Sequence, residues 1–372
     1  MRVVISGQMP PPVGGQNLNV KRFYDLLESE PDIQAVHWRM EFTKDVKSFR
    51  KFEIGKFIEL IRVVVRLIKL RLNGRIDSII YSTGGPHLAP IIRDIILLPV
   101  ACLLSKRVWV HFQAAGIAEK LPEIHPVLRK LLLWVYSRCY GGLALSDYGK
   151  RDPLALQMKH IEKLPNGLED GEGDRDSLSL VDESDHYEVV MLYVGHICED
   201  KGVPPLIRAF SEVSRIHPEI KLRLAGECLT PFTKEQLEVE IASSGAAEHI
   251  EVVGLCTGDS LKAQYQAADV LVFPSVAPYE SFGLVLVEAM IWELPIVASN
   301  WRAGKEVLGQ PLGGICYDIG ASHDKALNLA LLEMMNQRSK WASWGRANRD
   351  RYENHFSLDC LRDNLIKIVN LA

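Results

Sequence analysis

Two glutamates, Glu280 and Glu288, stand eight positions apart on the otherwise apolar segment ESFGLVLVE. At the rise of a helix and the loop before it, this spacing separates the two carboxylates by about 8–12 Å. That span is about the distance between a sugar and a ribose that flank a diphosphate. We therefore interpret the pair as holding the two ends of one ligand. The alternative is one carboxylate that complements a helix dipole and a second that is only solvated.

The segment between the glutamates predicts a helix whose N-terminus binds an anion. The helical pattern begins at Ser281 or Phe282 and ends at Glu293, because Pro295 cannot continue it. The first amides of a helix have no partner within the helix, and together with the helix dipole they favour a phosphate. The glycine among them lets a ligand approach the backbone. The amides predicted to bind belong to Ser281, Phe282, Gly283 and Leu284.

The composition of the chain limits its class. It has 372 residues, 47% hydrophobic and 24% charged, as expected of a globular protein with two domains. Neither a signal peptide nor an apolar run long enough to span a bilayer is apparent, and the seven scattered cysteines form no CxxC pair. We therefore predict a reduced, cytoplasmic protein. The only DxD string, residues 174–176, lies in an acidic stretch rather than at a strand end, so we predict no metal site.

Charge is distributed unevenly along the chain. Residues 1–150 contain 22 Lys and Arg against 13 acids, whereas residues 151–372 contain 21 against 34. The positive excess is largest in residues 44–75, where ten basic residues and three acids accompany an amphipathic helical pattern. This stretch is either a core helix with a basic exposed stripe or an interfacial helix that lies on an anionic membrane. No aromatic-rich basic motif accompanies it, so we predict no nucleic-acid partner.

Short apolar strands alternate with longer helical patterns in both halves of the chain, which is typical of parallel α/β sheets covered on both faces. Helices are predicted at residues 19–29 and 203–217. The predicted strands are residues 2–6, 78–83, 107–112, 141–146, 189–195, 221–226, 250–254, 270–275 and 295–299.

This pattern predicts an α/β protein with two Rossmann-like domains, residues 1–165 and 188–350. An acidic, Gly-rich linker, residues 166–187, joins them, and residues 351–372 form a C-terminal helix. Ligands bind such sheets beyond the carboxyl ends of the strands, so the cleft between the domains is the predicted site.

Five motifs occur in a characteristic order: PPPVGGQN, LPNGLED, YVGHICEDKGVPPLIRAF, AADVLVFPS and ESFGLVLVE. Together they resemble the motifs of the retaining GT-B glycosyltransferases of family 4 (group 1), including the E-x7-E motif. The resemblance implies the GT-B fold, in which two Rossmann-like domains face a central cleft. It also implies that the C-terminal helix packs back on the N-terminal domain.

The resemblance also implies roles for single residues. Glu280 would bind hydroxyls of the donor sugar near the anomeric carbon, and Glu288 would bind the ribose hydroxyls. Lys201 would stabilise the departing diphosphate. The nucleobase would lie near Leu255. His111, at the end of a strand, would face the sugar from the N-terminal domain; the ordinary alternative is a core histidine.

The remaining predicted donor contacts come from two other segments. Gly14 and Gly15 would belong to a mobile loop that closes on the donor phosphate and the acceptor, or else form a plain tight turn. His196 stands where the family usually has Arg, and it is less reliably cationic near neutral pH than Arg. Arg302 or Lys305 could compensate for this change.

The implied activity is that of a retaining hexosyltransferase that needs neither a metal nor a cofactor. It would move a sugar from a nucleotide-diphosphate donor, with UDP favoured, to a glycan or lipid-linked glycan in bacterial surface polysaccharide biosynthesis. The protein would be cytoplasmic, with residues 44–75 as a peripheral contact to the inner face of the plasma membrane. Two alternatives stay open: a weakened family member that acts as a membrane-associated scaffold, and a GT-B nucleotide-sugar epimerase.

Overall fold

The computed structural model describes residues 1–11, 14–40, 54–171 and 188–371. Most of the predicted acidic linker, its DxD string, and residues 44–53 of the basic stretch lie outside the described residues. The chain divides into two compact units. The first comprises Met1–Asn166 and Asp359–Ala372, and the second comprises Gly167–Leu358. The second unit therefore extends eight residues beyond the boundary that the sequence suggested at residue 350.

The first unit contains, among its described residues, one parallel six-stranded sheet. Its strands are β1 (Arg2–Gly7), β2 (Gln34–Arg39), β3 (Ser78–Ser82), β4 (Val108–Phe112), β5 (Gly141–Ala144) and β6 (His160–Lys163). Their spatial order is β2-β1-β3-β4-β5-β6. The helices between them are α1 (Gly15–Glu28), α2 (Ile54–Leu72), α3 (Leu88–Leu104), α4 (Ile117–Lys120), α5 (Pro126–Tyr136) and α6 (Arg151–Ala155).

Three helices, α2, α3 and α5, cover one face of this sheet. They share a hydrophobic core with strand residues two positions apart, such as Ile79 with Tyr81 and Val108 with Val110. Since alternate strand residues point to opposite faces, these strand residues define a single face. Within the layer, α3 contacts both α2 and α5. His111 has the opposite parity and therefore points to the other face.

The second unit contains a second parallel six-stranded sheet among its described residues. Its strands are β7 (Val189–Val194), β8 (Ile220–Ala225), β9 (Ile250–Gly254), β10 (Val270–Phe273), β11 (Ile296–Ser299) and β12 (Gly314–Tyr317), in the order β12-β11-β10-β7-β8-β9. Its helices are α7 (Val203–Ser214), α8 (Lys234–Ser244), α9 (Asp259–Gln266), α10 (Leu284–Ile291), α11 (Gly304–Leu308), α12 (His323–Asn336) and α13 (Trp341–His355). The last helix of the chain is α14 (Leu358–Asn370).

The predicted α/β class with two parallel sheets is confirmed. Strands β2, β6 and β12 were not predicted, and each lies at the edge of its sheet. Helix α1 begins at Gly15, four residues before its predicted start. None of the helices in the described part of the chain is long and apolar enough to cross a membrane.

Candidate active site

The loops that contain Lys201 and Glu280 follow neighbouring strands of the second sheet. Strand β7 pairs with β8 on one side and with β10 on the other. The chain winds outward from β7 in both directions, so the carboxyl ends of β7 and β10 border a topological switch point. Doubly wound sheets bind their ligands in the crevice at this position. Residues 195–202 leave β7 here, and residues 274–283 leave β10.

A glycine allows these two loops to touch. Gly202 has a φ of 75° and directly precedes the first residue of α7. A Cβ atom at this position would lie 2.2 Å from the carbonyl oxygen of Pro274, closer than any side chain tolerates. Beside this contact the amide of Val276 donates a hydrogen bond of 2.9 Å to the carbonyl oxygen of Asp200. The glycine therefore fixes Lys201 against the end of β10.

Lys201, Glu280 and Ser275 form a hydrogen-bonded cluster at the switch point. Oε2 of Glu280 accepts from Nζ of Lys201 at 2.5 Å and from Oγ of Ser275 at 3.0 Å. The two charged side chains are only 16% and 15% exposed, respectively. Each charge thus compensates the other where water is scarce. An incoming diphosphate could take over Lys201 and leave the Glu280 carboxylate to accept hydrogen bonds from hydroxyls.

The end of β11 supports the Glu280 loop from beneath. The hydroxyl of Ser299 donates to the carbonyl oxygen of Ser275 at 2.6 Å. The indole Nε1 of Trp301 donates to the carbonyl oxygen of Ala277 at 2.8 Å. The side chains of Ser299 and Trp301 therefore hold the loop by its backbone carbonyl groups and not by its side chains.

Glu288, on the second turn of α10, has one strong partner from another helix. The hydroxyl of Tyr265 on α9 donates to Oε2 of Glu288 at 2.6 Å. Tyr265 is buried, and its burial, together with the adjacent carboxylate, raises the pKa of the phenol, so the hydroxyl keeps its proton. Tyr265 therefore orients Oε2 of Glu288.

The helix between the glutamates starts later than predicted. Gly283, with a φ of 81°, precedes the first helical residue, Leu284, and the helix ends at Ile291 rather than Glu293. Ser281 and Phe282 therefore lie in the preceding turn, and the ring of Phe282 is buried against Phe356. Of the predicted amides, only that of Leu284 belongs to the first turn of the helix.

His196 follows the end of β7 on an exposed turn. Its carbonyl oxygen accepts a hydrogen bond of 2.6 Å from the hydroxyl of Tyr193. Desolvation and the charge of Lys201 lower the pKa of His196, although Glu227 opposes them. The imidazole is therefore mostly neutral at pH 7 in the absence of an anion. It is a weaker anion contact than an arginine would be.

Comparison with solved structures identifies the fold. Sucrose-phosphate synthase from Thermosynechococcus elongatus superposes with a TM-score of 0.76 at 16% identity, covering 99% of this chain and 98% of that one. Anabaena HepE in complex with UDP superposes with a TM-score of 0.74 at 14% identity over the full length of both chains. The predicted GT-B fold is thereby confirmed, although identities this low establish the fold alone.

The sequence comparison concerns mainly the second unit. Residues 175–351, a little less than half of the chain, match the family model described as Glycosyl transferases group 1. This segment resembles a group 1 glycosyl transferase. A phosphatidyl-myo-inositol mannosyltransferase of Mycobacterium leprae is 28% identical over 225 residues, which are 59% of this chain and 56% of that protein. The chain spans about a third to three fifths of the length of the curated relatives it matches.

The group 1 segment contains Lys201, His196, Glu280 and Glu288, the residues of the switch-point site. It also contains Leu255, which follows β9, the strand at the far edge of the sheet, and is 63% exposed. Its predicted contact with a nucleobase stays a prediction, as do the other residue roles that the family resemblance implies.

His111 lies in the first unit, outside the group 1 segment. Its side chain is fully buried, with its ring 4.9 Å from that of Phe23 on α1. Burial lowers the pKa of His111 to about 3, so the imidazole is neutral at physiological pH. Among the described residues, neither ring nitrogen has a hydrogen-bond partner. A histidine of this kind can still donate or accept a hydrogen bond, but it cannot provide positive charge to a diphosphate.

Gly14 and Gly15 are at the start of α1 rather than in a free loop. Gly14 has extended backbone and its carbonyl oxygen accepts from the amide of Leu18 at 2.9 Å, while Gly15 is the first helical residue. Both are exposed, and a Cβ atom at Gly14 would meet no atom within 4 Å. Gly15 is therefore helical, because the helical hydrogen bonds begin earlier than the apolar pattern suggested. The predicted closure of these glycines on the donor phosphate stays a prediction.

Two residues of the site were not predicted. Ser275 ends the strand-like run VLVFPS, and its polar side chain at the carboxyl end of a buried strand was a usable signal. Tyr265 gave no signal, because it lies 23 positions before its partner Glu288 on a different helix. No group of three or more metal-ligating side chains occurs within the described ranges, and the absence of a metal requirement stays a prediction.

Proposed function

We propose that this protein is a retaining glycosyltransferase that moves a hexose from a nucleotide-diphosphate sugar to a glycan or lipid-linked glycan. The observation that carries this proposal is the largely buried pair of Lys201 and Glu280 at the switch point, hydrogen-bonded to Ser275 and followed by the N-terminus of α10. A cation and a helix N-terminus suit a diphosphate, and a carboxylate beside them suits sugar hydroxyls.

The fold neighbours support UDP as the nucleotide. Anabaena HepE was solved with UDP and also with UDP-glucose. In the protein described here, the diphosphate would contact Nζ of Lys201 and the first amides of α10. Glu288, oriented by Tyr265, would accept hydrogen bonds from the ribose hydroxyls. This assignment uses both glutamates and the segment between them for one extended ligand.

The chemical step that we propose exchanges one C–O bond for another at the anomeric carbon. The bond from this carbon to the diphosphate oxygen breaks, and the acceptor oxygen forms a new bond on the same face. The acceptor proton passes to the departing diphosphate, so neither a metal nor a cofactor is required. Lys201 stabilises the charge that develops on the diphosphate. Glu280 holds the sugar hydroxyls and thereby orients the anomeric carbon.

The acceptor that we propose is a glycan attached to a lipid, in bacterial surface polysaccharide synthesis. The mannosyltransferase of Mycobacterium leprae is named after the phospholipid phosphatidyl-myo-inositol, and this supports an acceptor at a membrane. The protein would then work in the cytoplasm at the inner face of the plasma membrane, with residues 44–75 on the anionic surface.

The test is release of nucleotide diphosphate from a panel of nucleotide sugars, with and without phospholipid-linked acceptors. We expect sugar-dependent release that survives a chelator and falls at least about 100-fold in Glu280→Gln, since the sugar loses a charged hydrogen-bond acceptor. The control is Glu238→Gln, an exposed glutamate on α8, which should keep full activity. Equal activity of Glu280→Gln and the wild type would contradict the assigned role.

A second candidate is a non-catalytic, membrane-associated scaffold, and His196 is the observation that favours it. The residue is mostly neutral at pH 7, so the anion site lacks a cation that the family usually provides. Thermal unfolding with UDP, GDP and ADP separates the two candidates. Stabilisation by one nucleotide supports the enzyme, whereas no response to any of them at millimolar concentration supports the scaffold.

A further inference from the structure

Helix α2 exposes a continuous apolar stripe on its outer side. Spaced three and four residues apart, five aliphatic side chains are 40–79% exposed, and residues at this spacing line one side of a helix. The opposite side of the helix is packed into the core of the first unit by Leu60, Val63 and Leu67. The exposed residues are Ile58, Ile61, Val65, Ile68 and Leu72.

The stripe continues onto the two neighbouring helices. On α3, which contacts α2, Ile96 is 38% exposed and Leu103 is 85% exposed. On α5, which contacts α3, Val127, Leu131 and Trp134 are 68%, 41% and 46% exposed, again at helical spacing. We call the outer side of these three helices the helical surface. Scattered exposed apolar residues are ordinary, but ten on adjacent helices of one layer are not.

Charges on the helical surface are almost all positive. The three helix segments contain eight Lys and Arg against two acids, a formal charge of +6. Both acids are occupied within the protein. Glu59 pairs with Arg66 at 2.6 Å and with Arg62 at 3.5 Å, and the buried Asp94 pairs with Arg93 at 2.8 Å. The outward charge therefore comes from side chains such as Arg62 and Lys69.

We infer that the helical surface binds an anionic lipid bilayer, with α2, α3 and α5 lying in the plane of the membrane. Aliphatic side chains enter the boundary between headgroups and acyl chains, and the cations contact the lipid phosphates. Trp134 suits the same boundary, since its ring prefers the interface and the guanidinium of Arg138 stacks on it at 3.8 Å.

The charges of the helical surface favour a membrane over a second copy of the chain as its partner. Contact between two copies of this surface would bring Lys69 and Lys130 of each copy together, along with Arg62, which shares Glu59 with Arg66 and so keeps excess positive charge. An anionic bilayer neutralises these cations and covers the apolar residues at the same time. The inference extends the membrane contact from residues 44–75 to two further helices. It does not depend on glycosyl transfer, because the binding assay contains no donor sugar.

The test is flotation of the full-length protein with vesicles of phosphatidylcholine alone or mixed with phosphatidylglycerol. We expect binding to the anionic vesicles that weakens with salt. Arg62→Gln with Lys69→Gln should lower the partition coefficient roughly 25-fold, at about fivefold per cation. Ile61→Ser with Ile68→Ser should lower it about tenfold or more. The matched control is Ile216→Ser with Leu329→Ser, two exposed residues of the second unit, which should bind as the wild type does.

Three outcomes would overturn the inference. One is equal binding to neutral and anionic vesicles, and another is wild-type binding by both helical-surface variants. The third is a concentration-dependent dimer, seen by light scattering, that the isoleucine variant abolishes while vesicle binding is absent; a second copy would then cover the surface. Thermal unfolding verifies that each variant is folded. If the isoleucine variant fails this check, Trp134→Ser and the charge variant decide.

Discussion

The switch-point site of the second unit and the surroundings of His111 in the first unit handle buried polar groups in opposite ways. Around Lys201 and Glu280, the ammonium, the carboxylate and the hydroxyl of Ser275 are joined by hydrogen bonds, so the cluster compensates its own charges without a ligand. The nitrogens of His111 are buried without a hydrogen bond in the described structure, which costs stability. The contrast teaches that a polar group can be buried either within a network that compensates it or without a partner, at a cost in stability.

The largest expected effect comes from removing the cation of the network. Lys201→Met should lower sugar transfer about 100- to 1,000-fold, because the diphosphate loses the charge that stabilises its departure. The measurement is kcat/KM for the nucleotide sugar. Lys221→Met is the control, since this lysine forms an exposed ion pair with Glu188.

The same variant also tests the coupling within the network. Lys201→Met combined with Glu280→Gln should lose less activity than the product of the two single losses, because the residues act as one unit. Strictly multiplicative losses would show that the two side chains act independently, and the description of the site as a network would be wrong.

The second-largest effect concerns His111, whose buried ring nitrogens have no hydrogen-bond partner in the described structure. The folded protein keeps this imidazole neutral with a pKa near 3, whereas the unfolded chain protonates it near pH 6.5. The contribution of the neutral imidazole to the free energy of unfolding is therefore complete above about pH 6.5 and is lost as the pH falls. Lowering the pH from 7 to 5 should cost about 2 kcal/mol of unfolding free energy through this residue.

His111→Leu measures that contribution. Urea unfolding of the variant should show a change between pH 7 and pH 5 that is smaller than that of the wild type by this amount. The variant should also be about 1–3 kcal/mol more stable at pH 7, since a buried polar group without a partner is removed. An unchanged pH dependence would mean that folding does not lower the pKa of His111, and the description of its surroundings would be wrong.

The smallest effect is expected at Tyr265. Tyr265→Phe leaves the ring in place but releases Glu288, so KM for the donor should rise about fivefold at nearly constant kcat, through the loss of one hydrogen bond to a charged group. Tyr352→Phe is the control, because this tyrosine also donates a buried hydrogen bond, at 3.0 Å to the carbonyl oxygen of Leu168. A rise in KM in both variants would indicate a general loss of stability instead.

The sequence predicted the central strands and the two loops of the switch-point site well, because fully buried strands are continuous apolar runs and the loops contain glycine and proline. It failed at three of the four edge strands, β2, β6 and β12, whereas the edge strand β9 was predicted. Strand β6, HIEK, is half-exposed or exposed throughout and gives no apolar pattern, and β2, QAVHWR, buries only Ala35 and Trp38. Pairing with a neighbouring strand makes these segments strands, and pairing is not encoded locally.

Of the candidate site, the sequence predicted the charged residues but not the start of α10 or the partner of Glu288. Glu280 and Glu288 stand out as carboxylates on an apolar segment, and Lys201 follows a glycine-punctuated loop. The start of α10 was misplaced because Ser281 and Phe282 fit a helical pattern, while the positive φ of Gly283 can be seen only in the structure. The hydrogen bond of Tyr265 depends on how α9 packs beside α10, which the sequence does not specify.

The most direct test of the proposed donor site is a crystal structure of the protein with UDP. We predict the diphosphate within about 3 Å of Nζ of Lys201 and of the amide of Leu284, with the ribose hydroxyls on Glu288. UDP bound elsewhere on the protein, with the ion pair of Lys201 and Glu280 intact and its surroundings empty, would contradict this account.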